Sequence, residues 1–82
     1  MPRLRKTDAQ RRAERFGELY RVGKARLGMT DEQIGQMLDM SSATLRKKRR
    51  SPGEFSFSQI ITLGAVFGWS DEDYLAIIHP QR

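Results

Sequence analysis

Apolar side chains recur along the chain at helical spacing, and polar capping residues cut the recurrences into segments. Ala13, Phe16, Tyr20, Gly23 and Leu27, joined by Leu19 and Val22, fall every three to four residues and predict one apolar stripe on a long helix. Thr7 with Gln10 three residues later marks its start, because a cap hydroxyl accepts an unpaired backbone N–H while the amide returns to the cap's own N–H. Gly28 marks its end, since glycine takes the left-handed backbone that closes a helix at little cost. The far face of this helix carries Arg11, Arg15 and Lys24.

The same start signal returns at Thr30 with Gln33, and "TDEQIGQML" sets Ile34, Met37 and Leu38 on one face of a short helix. Its first-turn acids, Asp31 and Glu32, complement the positive end of the helix dipole. "DMSS" then breaks the pattern: Asp39 tolerates a left-handed backbone, Met40 is apolar, and Ser41 caps the next segment, "SATLRKKRR". So short a turn makes two helices cross steeply and pack on each other. "SPGEF" reads as a loop from its Pro and Gly. Ser56 with Gln59 opens the most apolar segment, with Phe57, Ile60, Ile61, Leu63, Val66 and Phe67, which predicts a mostly buried helix. Gly68 stops it; Ser70 caps a last short helix, "DEDYLAII", which ends before Pro80. Phe57, Phe67, Trp69 and Tyr74 are expected in the core. No segment alternates with period two, so the expectation is an all-α, compact bundle of about five helices.

Residues 30–75 resemble the lambda-repressor-like, Cro and xenobiotic-response-element type family of helix-turn-helix DNA-binding domains. Ile34, Gly35, Leu38, Met40 and Leu45 stand where that family has apolar, small, apolar, apolar and apolar side chains, and "FSFSQIITLGAVFGWSDEDYL" follows its usual ending. Two positions depart from the pattern. Asp39 replaces the usual turn glycine, and Lys48 stands where an apolar or aromatic residue is usual, a place its stem can fill while the ammonium reaches out. The resemblance implies a transcriptional regulator of bacterial, phage or prophage type, a repressor among the options, that reads duplex DNA with residues 42–50 in the major groove.

Composition narrows the alternatives. A chain of 82 residues fits one domain, expected here over 7–82 behind a flexible basic arm, 1–6. It has no cysteine, which removes disulfides, thiolate metal sites and cysteine nucleophiles, and suits a cytoplasmic protein. No apolar run is long enough for a membrane span or a secretion signal. No phosphate-cradling glycine motif, metal-ligand spacing or nucleophile–base pair stands out, so no enzyme activity, cofactor, metal or small-molecule ligand is expected. The net charge of +5 is unevenly spread: segments 1–26, 27–41, 42–50 and 51–82 carry +6, −3, +5 and −3. Two cationic blocks suit a polyanion.

If Leu45 points inward, a rotation of about 100° per residue turns Ala43, Arg46, Lys47 and Arg50 outward, with Ser42 at the exposed start. In a helix-turn-helix the leading end of the second helix meets base edges, which makes Ser42, Ala43, Arg46 and Lys47 the base-contacting candidates. Arg46 or Lys47 suits guanine O6 and N7, and Ala43 suits a thymine methyl. Thr44, Lys48, Arg49 and Arg50, on the flanks and toward the end, are phosphate-contacting candidates, joined by Arg3, Arg5 and Lys6 of the arm. So small a domain normally needs a homodimer on two half-sites for appreciable specificity, with the last helix and the Trp69 region as the default interface and the long first helix second. Two other functions suit the same fold: an antitoxin-like or adaptor module that grips a protein, and a non-specific nucleic-acid packager.

Overall fold

The computed structural model describes residues 7–79, and among them every regular element is helical. Five α-helices follow in order: α1 (Asp8–Leu27), α2 (Asp31–Met37), α3 (Ser42–Arg50), α4 (Phe57–Phe67) and α5 (Asp71–Ile78). A single 3-10 turn, Pro52–Glu54, joins α3 to α4. The chain is an all-α, compact bundle of five helices. The capping residues set its boundaries: Thr7, Thr30, Ser56 and Ser70 each accept the N–H three residues on, and Gln10, Gln33, Gln59 and Asp73 return the bond. Such boxes satisfy two orphan donors at once. Gly28 and Gly68 close α1 and α4 in the left-handed conformation.

α1 is the spine, packed against α3, the 3-10 turn, α4 and α5. Phe16, Tyr20, Ile34, Leu45 and Leu63 are fully buried. Phe16 stacks on Phe55 at 5.2 Å between ring centroids and meets Trp69 edge-on at 6.1 Å, while Tyr20 meets Phe67 edge-on at 5.6 Å. Such pairs add about 0.5–1.5 kcal/mol each beyond the area they bury. Two α1 arginines finish the neighbouring helices. Arg12 Nε donates to Ile77 O at 2.7 Å, and Arg26 Nη2 donates to Phe67 O, so cations meet the negative C-terminal ends of α5 and α4.

The turn between α2 and α3 takes four residues, 38–41. Asp39 adopts the left-handed backbone (φ 58°), as its residue type permits. Met40 N donates to Gly35 O at 2.9 Å, and the chain folds back so closely that a Cβ on Gly35 would lie 2.6 Å from Met40 O. Only glycine admits this approach.

Several apolar positions differ from expectation. Phe57, expected in the core, is 70% exposed, because it is the first residue of α4 and lies on the shoulder of the stripe carrying Ile60, Leu63 and Phe67. Phe55 fills the core instead: the 3-10 turn buries Pro52 and swings Phe55 inward, so the "SPGEF" segment is a packed element. Val22 and Met37 are exposed on the shoulders of their stripes, and Leu27 is exposed at the last residue of α1. Trp69 is buried, with 9% of its surface exposed.

Candidate nucleic-acid interface

α3 owes its orientation to one side chain. Leu45 is fully buried beneath it, and Ser41 fixes its start by accepting Thr44 N at 3.2 Å. With Leu45 inward, Ala43, Thr44, Arg46, Lys47 and Arg50 are exposed, while Ser42, Lys48 and Arg49 are half-buried. The expected outward set is therefore brought to one surface except for Ser42, whose hydroxyl accepts a bond from Arg46 Nη2 at 3.4 Å. Lys48 is partly covered, as its position beside the core requires.

Arg49 departs from the other cations. It stands one helical turn after Leu45 and follows it inward, so that its guanidinium lies over the Tyr20 ring, 4.0 Å from the centroid. Nη1 reaches Asp31 Oδ1 at 3.5 Å, and Nε is buried without a hydrogen-bond partner among the described residues. Expected on the flank, Arg49 is a structural link between α3 and α1.

That link runs through a cluster that residue-by-residue reading of the chain missed. The Asp31 carboxylate, mostly buried at the first turn of α2, accepts Tyr20 Oη at 2.7 Å and Lys24 Nζ at 2.9 Å on Oδ1. Arg46 Nε faces its Oδ2 at 3.8 Å. The hydrogen bond from Tyr20 holds the Asp31 carboxyl below the usual carboxylate range; burial opposes this, and the bond and charge of Lys24 and the charge of Arg49 reinforce it. Burial first, and then the bond to Asp31 and its charge, push the Tyr20 phenol well above its ordinary value, with Arg49 pulling the other way. The signal in the sequence is the inward Tyr20: a buried phenol needs a partner, and Lys24, one turn later, points to the same place.

Most other described cations of the first block are similarly engaged. Arg15, expected on the far face of α1, bridges Glu18 at 3.6 Å and Asp73 of α5 at 3.5 Å. Lys24 serves Asp31, and Arg12 and Arg26 serve helix ends. The arm candidates Arg3, Arg5 and Lys6 lie outside the described residues. Among the described residues no three His, Cys, Asp or Glu side chains are placed to hold a metal ion, and no helix is long and apolar enough to cross a membrane.

An open groove of about 580 Å³ runs beside the cluster, between α1 and α3, lined by Glu14, Glu18, Arg21, Lys24 and Arg49 among others. A second, apolar groove of about 250 Å³ is lined by Phe57, Ile60, Ile77 and Ile78 among others. No family model matches the chain, and neither the curated proteins nor the solved structures contain a match to it.

Proposed function

We propose that this chain is a sequence-specific duplex-DNA-binding regulator of the lambda-repressor-like helix-turn-helix type, in which α2 and α3 are the paired helices and α3 enters the major groove. One observation carries this reading: a cationic helix is exposed at Ala43, Arg46 and Lys47, while its only buried side chain, Leu45, anchors it to the bundle. A helix so anchored offers base edges a fixed set of donors. Arg46 and Lys47 read bases; Thr44, Lys48 and Arg50 meet phosphates; Arg49 steadies the helix from within. Arg3, Arg5 and Lys6 join the phosphate contacts in this reading.

Selection of bound duplexes from a random pool tests the proposal. The expected result is a defined half-site, repeated as a palindrome about one helical turn apart if the chain acts as a homodimer. Arg46→Ala or Lys47→Ala should relax preference at one base pair, by about 1–3 kcal/mol of discrimination. Lys48→Ala or Arg50→Ala should weaken all duplexes alike and flatten the salt dependence by about one unit. Recovery of unselected sequence would leave non-specific packing as the function.

A protein-interaction module is a second reading, favoured by a different observation. Phe57, Ile61, Leu75 and Ile78 are exposed on α4 and α5, and Phe57 and Ile78 line the same apolar groove. This face, rather than the buried Trp69 ring, is the surface for a second copy or another protein. Binding that is indifferent to both pairs of α3 substitutions would favour this reading.

A further inference from the structure

We infer that Asp31 is a positioning residue for base recognition: it holds the side edge of the Arg46 guanidinium so that the end edge faces outward for a guanine. The inference rests on the DNA-binding reading above and concerns the same surface. A guanidinium has two edges able to give paired hydrogen bonds, one formed by Nε and Nη2, the other by Nη1 and the second N–H of Nη2. In this chain the first edge is turned toward protein groups, through one ion pair and one long hydrogen bond. Nε faces Asp31 Oδ2 at 3.8 Å, and Nη2 donates to Ser42 Oγ at 3.4 Å. The second edge stays free on a side chain that is 60% exposed, and two parallel N–H donors match guanine O6 and N7.

Asp31 is itself fixed. Tyr20 Oη, Lys24 Nζ and Arg49 Nη1 all meet Oδ1, at 2.7, 2.9 and 3.5 Å, which leaves Oδ2 as the oxygen turned toward Arg46. Three cations surround one carboxylate, so the cluster keeps a positive balance and does not repel a phosphate backbone. An ion pair as exposed as that to Arg46 adds little to stability. Its use is orientation, because a long side chain held before it meets its target loses less freedom on binding. Ser42 joins in the same role: its oxygen accepts from Arg46, and its own proton remains available.

The test compares base preference for the whole chain and its Asp31→Asn, Arg46→Ala and doubly substituted forms, by selection from a random duplex pool and by binding to a scrambled duplex. Asparagine keeps an acceptor for Tyr20 and removes the charge. Arg46→Ala should lose a guanine preference at one position. Asp31→Asn should weaken the preference at that same position by about threefold or more, part of the range a paired arginine–guanine contact commands. It should leave the other positions unchanged and bind scrambled duplex as tightly or more tightly, one anion having been removed. In the Arg46→Ala background, Asp31→Asn should change nothing at that position. Asp31→Glu keeps the charge on a longer stem and should fall between wild type and Asp31→Asn. If Arg46→Ala alters the preference and neither Asp31 variant does, this inference fails and the DNA-binding reading stands. If Asp31→Asn lowers preference at every position together, the role is structural and the inference fails. Absence of any wild-type preference overturns both.

Discussion

α3 and α4 differ as much as two helices of similar length can: nine residues with five cations in one, eleven mostly apolar residues in the other. Yet each carries a side chain on the face its chemistry does not ask for. Arg49 of α3 lies inward on Tyr20, and Phe57 of α4 stands 70% exposed. In both helices the angular phase, set by a few anchored positions, overrides residue type. Arg49 follows Leu45 by four residues, which returns it to nearly the same face; Phe57 falls on the shoulder of the stripe carrying Ile60, Leu63 and Phe67. A charge run therefore divides by phase into cations that build the fold and cations left exposed.

The largest expected effect tests the anchor. Leu45 is fully buried and is the only buried residue of α3, so Leu45→Ala should cost about 2–5 kcal/mol in urea unfolding. Leu63→Ala, equally buried in α4 but among three other buried residues, should fall in the same range. The two should differ in consequence: the Leu45 variant frees the orientation of a whole helix, so its amide exchange should rise along α3. Gly35→Ala comes next, at about 1–3 kcal/mol, because the added methyl meets a backbone oxygen at 2.6 Å and α2 and α3 must move apart. Gly53→Ala, whose methyl would meet nothing nearer than Arg12 Nη1 at 3.8 Å, is the control and should be nearly neutral.

How far these features were legible in the sequence follows from their range along the chain. Caps and turn were legible because they are local: Thr7 with Gln10, Thr30 with Gln33, and Asp39 act over a few residues each. The exposure of Ala43, Arg46 and Lys47 followed from one assumption, that Leu45 points inward. What was not legible depends on the phase between helices. The Asp31 cluster gathers residues 20, 24, 31, 46 and 49 from three helices, and the spacing of Tyr20 and Lys24 marks only the α1 part of it. Phe55 and Phe57 are two residues apart with identical side chains, and the 3-10 turn before them decides which one enters the core.

The cluster makes a prediction about pH. Asp31 is held below its ordinary value in the folded chain, so the unfolded chain binds that proton more readily. Its contribution is present above the ordinary range near about pH 4 and is lost as pH falls through the lower folded value. Asp31→Asn should cost about 1–2 kcal/mol at neutral pH, the worth of a charge-assisted hydrogen bond, and should flatten the acid limb of the stability curve. Urea midpoints between neutral pH and pH 3 measure both. A smaller effect separates neighbours in the charge run: Arg49→Ala should cost about 1 kcal/mol through lost contact with the Tyr20 ring, whereas exposed Arg50→Ala should stay within about 0.5 kcal/mol. Equal costs would mean that phase does not divide the run.

The smallest effect on stability belongs to the other exception. Phe57 buries little of its ring in the folded chain, so Phe57→Ser should change the urea midpoint by no more than about 0.5 kcal/mol. Phe57, which lines a groove with Ile78, nevertheless keeps apolar surface in water, and exposed apolar patches mark places where a partner can bind. Sedimentation over a range of concentrations should then find the serine variant less self-associated than wild type at the same unfolding midpoint. A loss of more than about 2 kcal/mol would mean that the ring is packed after all, since only core truncations cost that much. An unchanged midpoint with unchanged association would leave the face without a role in self-assembly, and α4 would then differ from α3 in having no work for the residue that its phase turns outward.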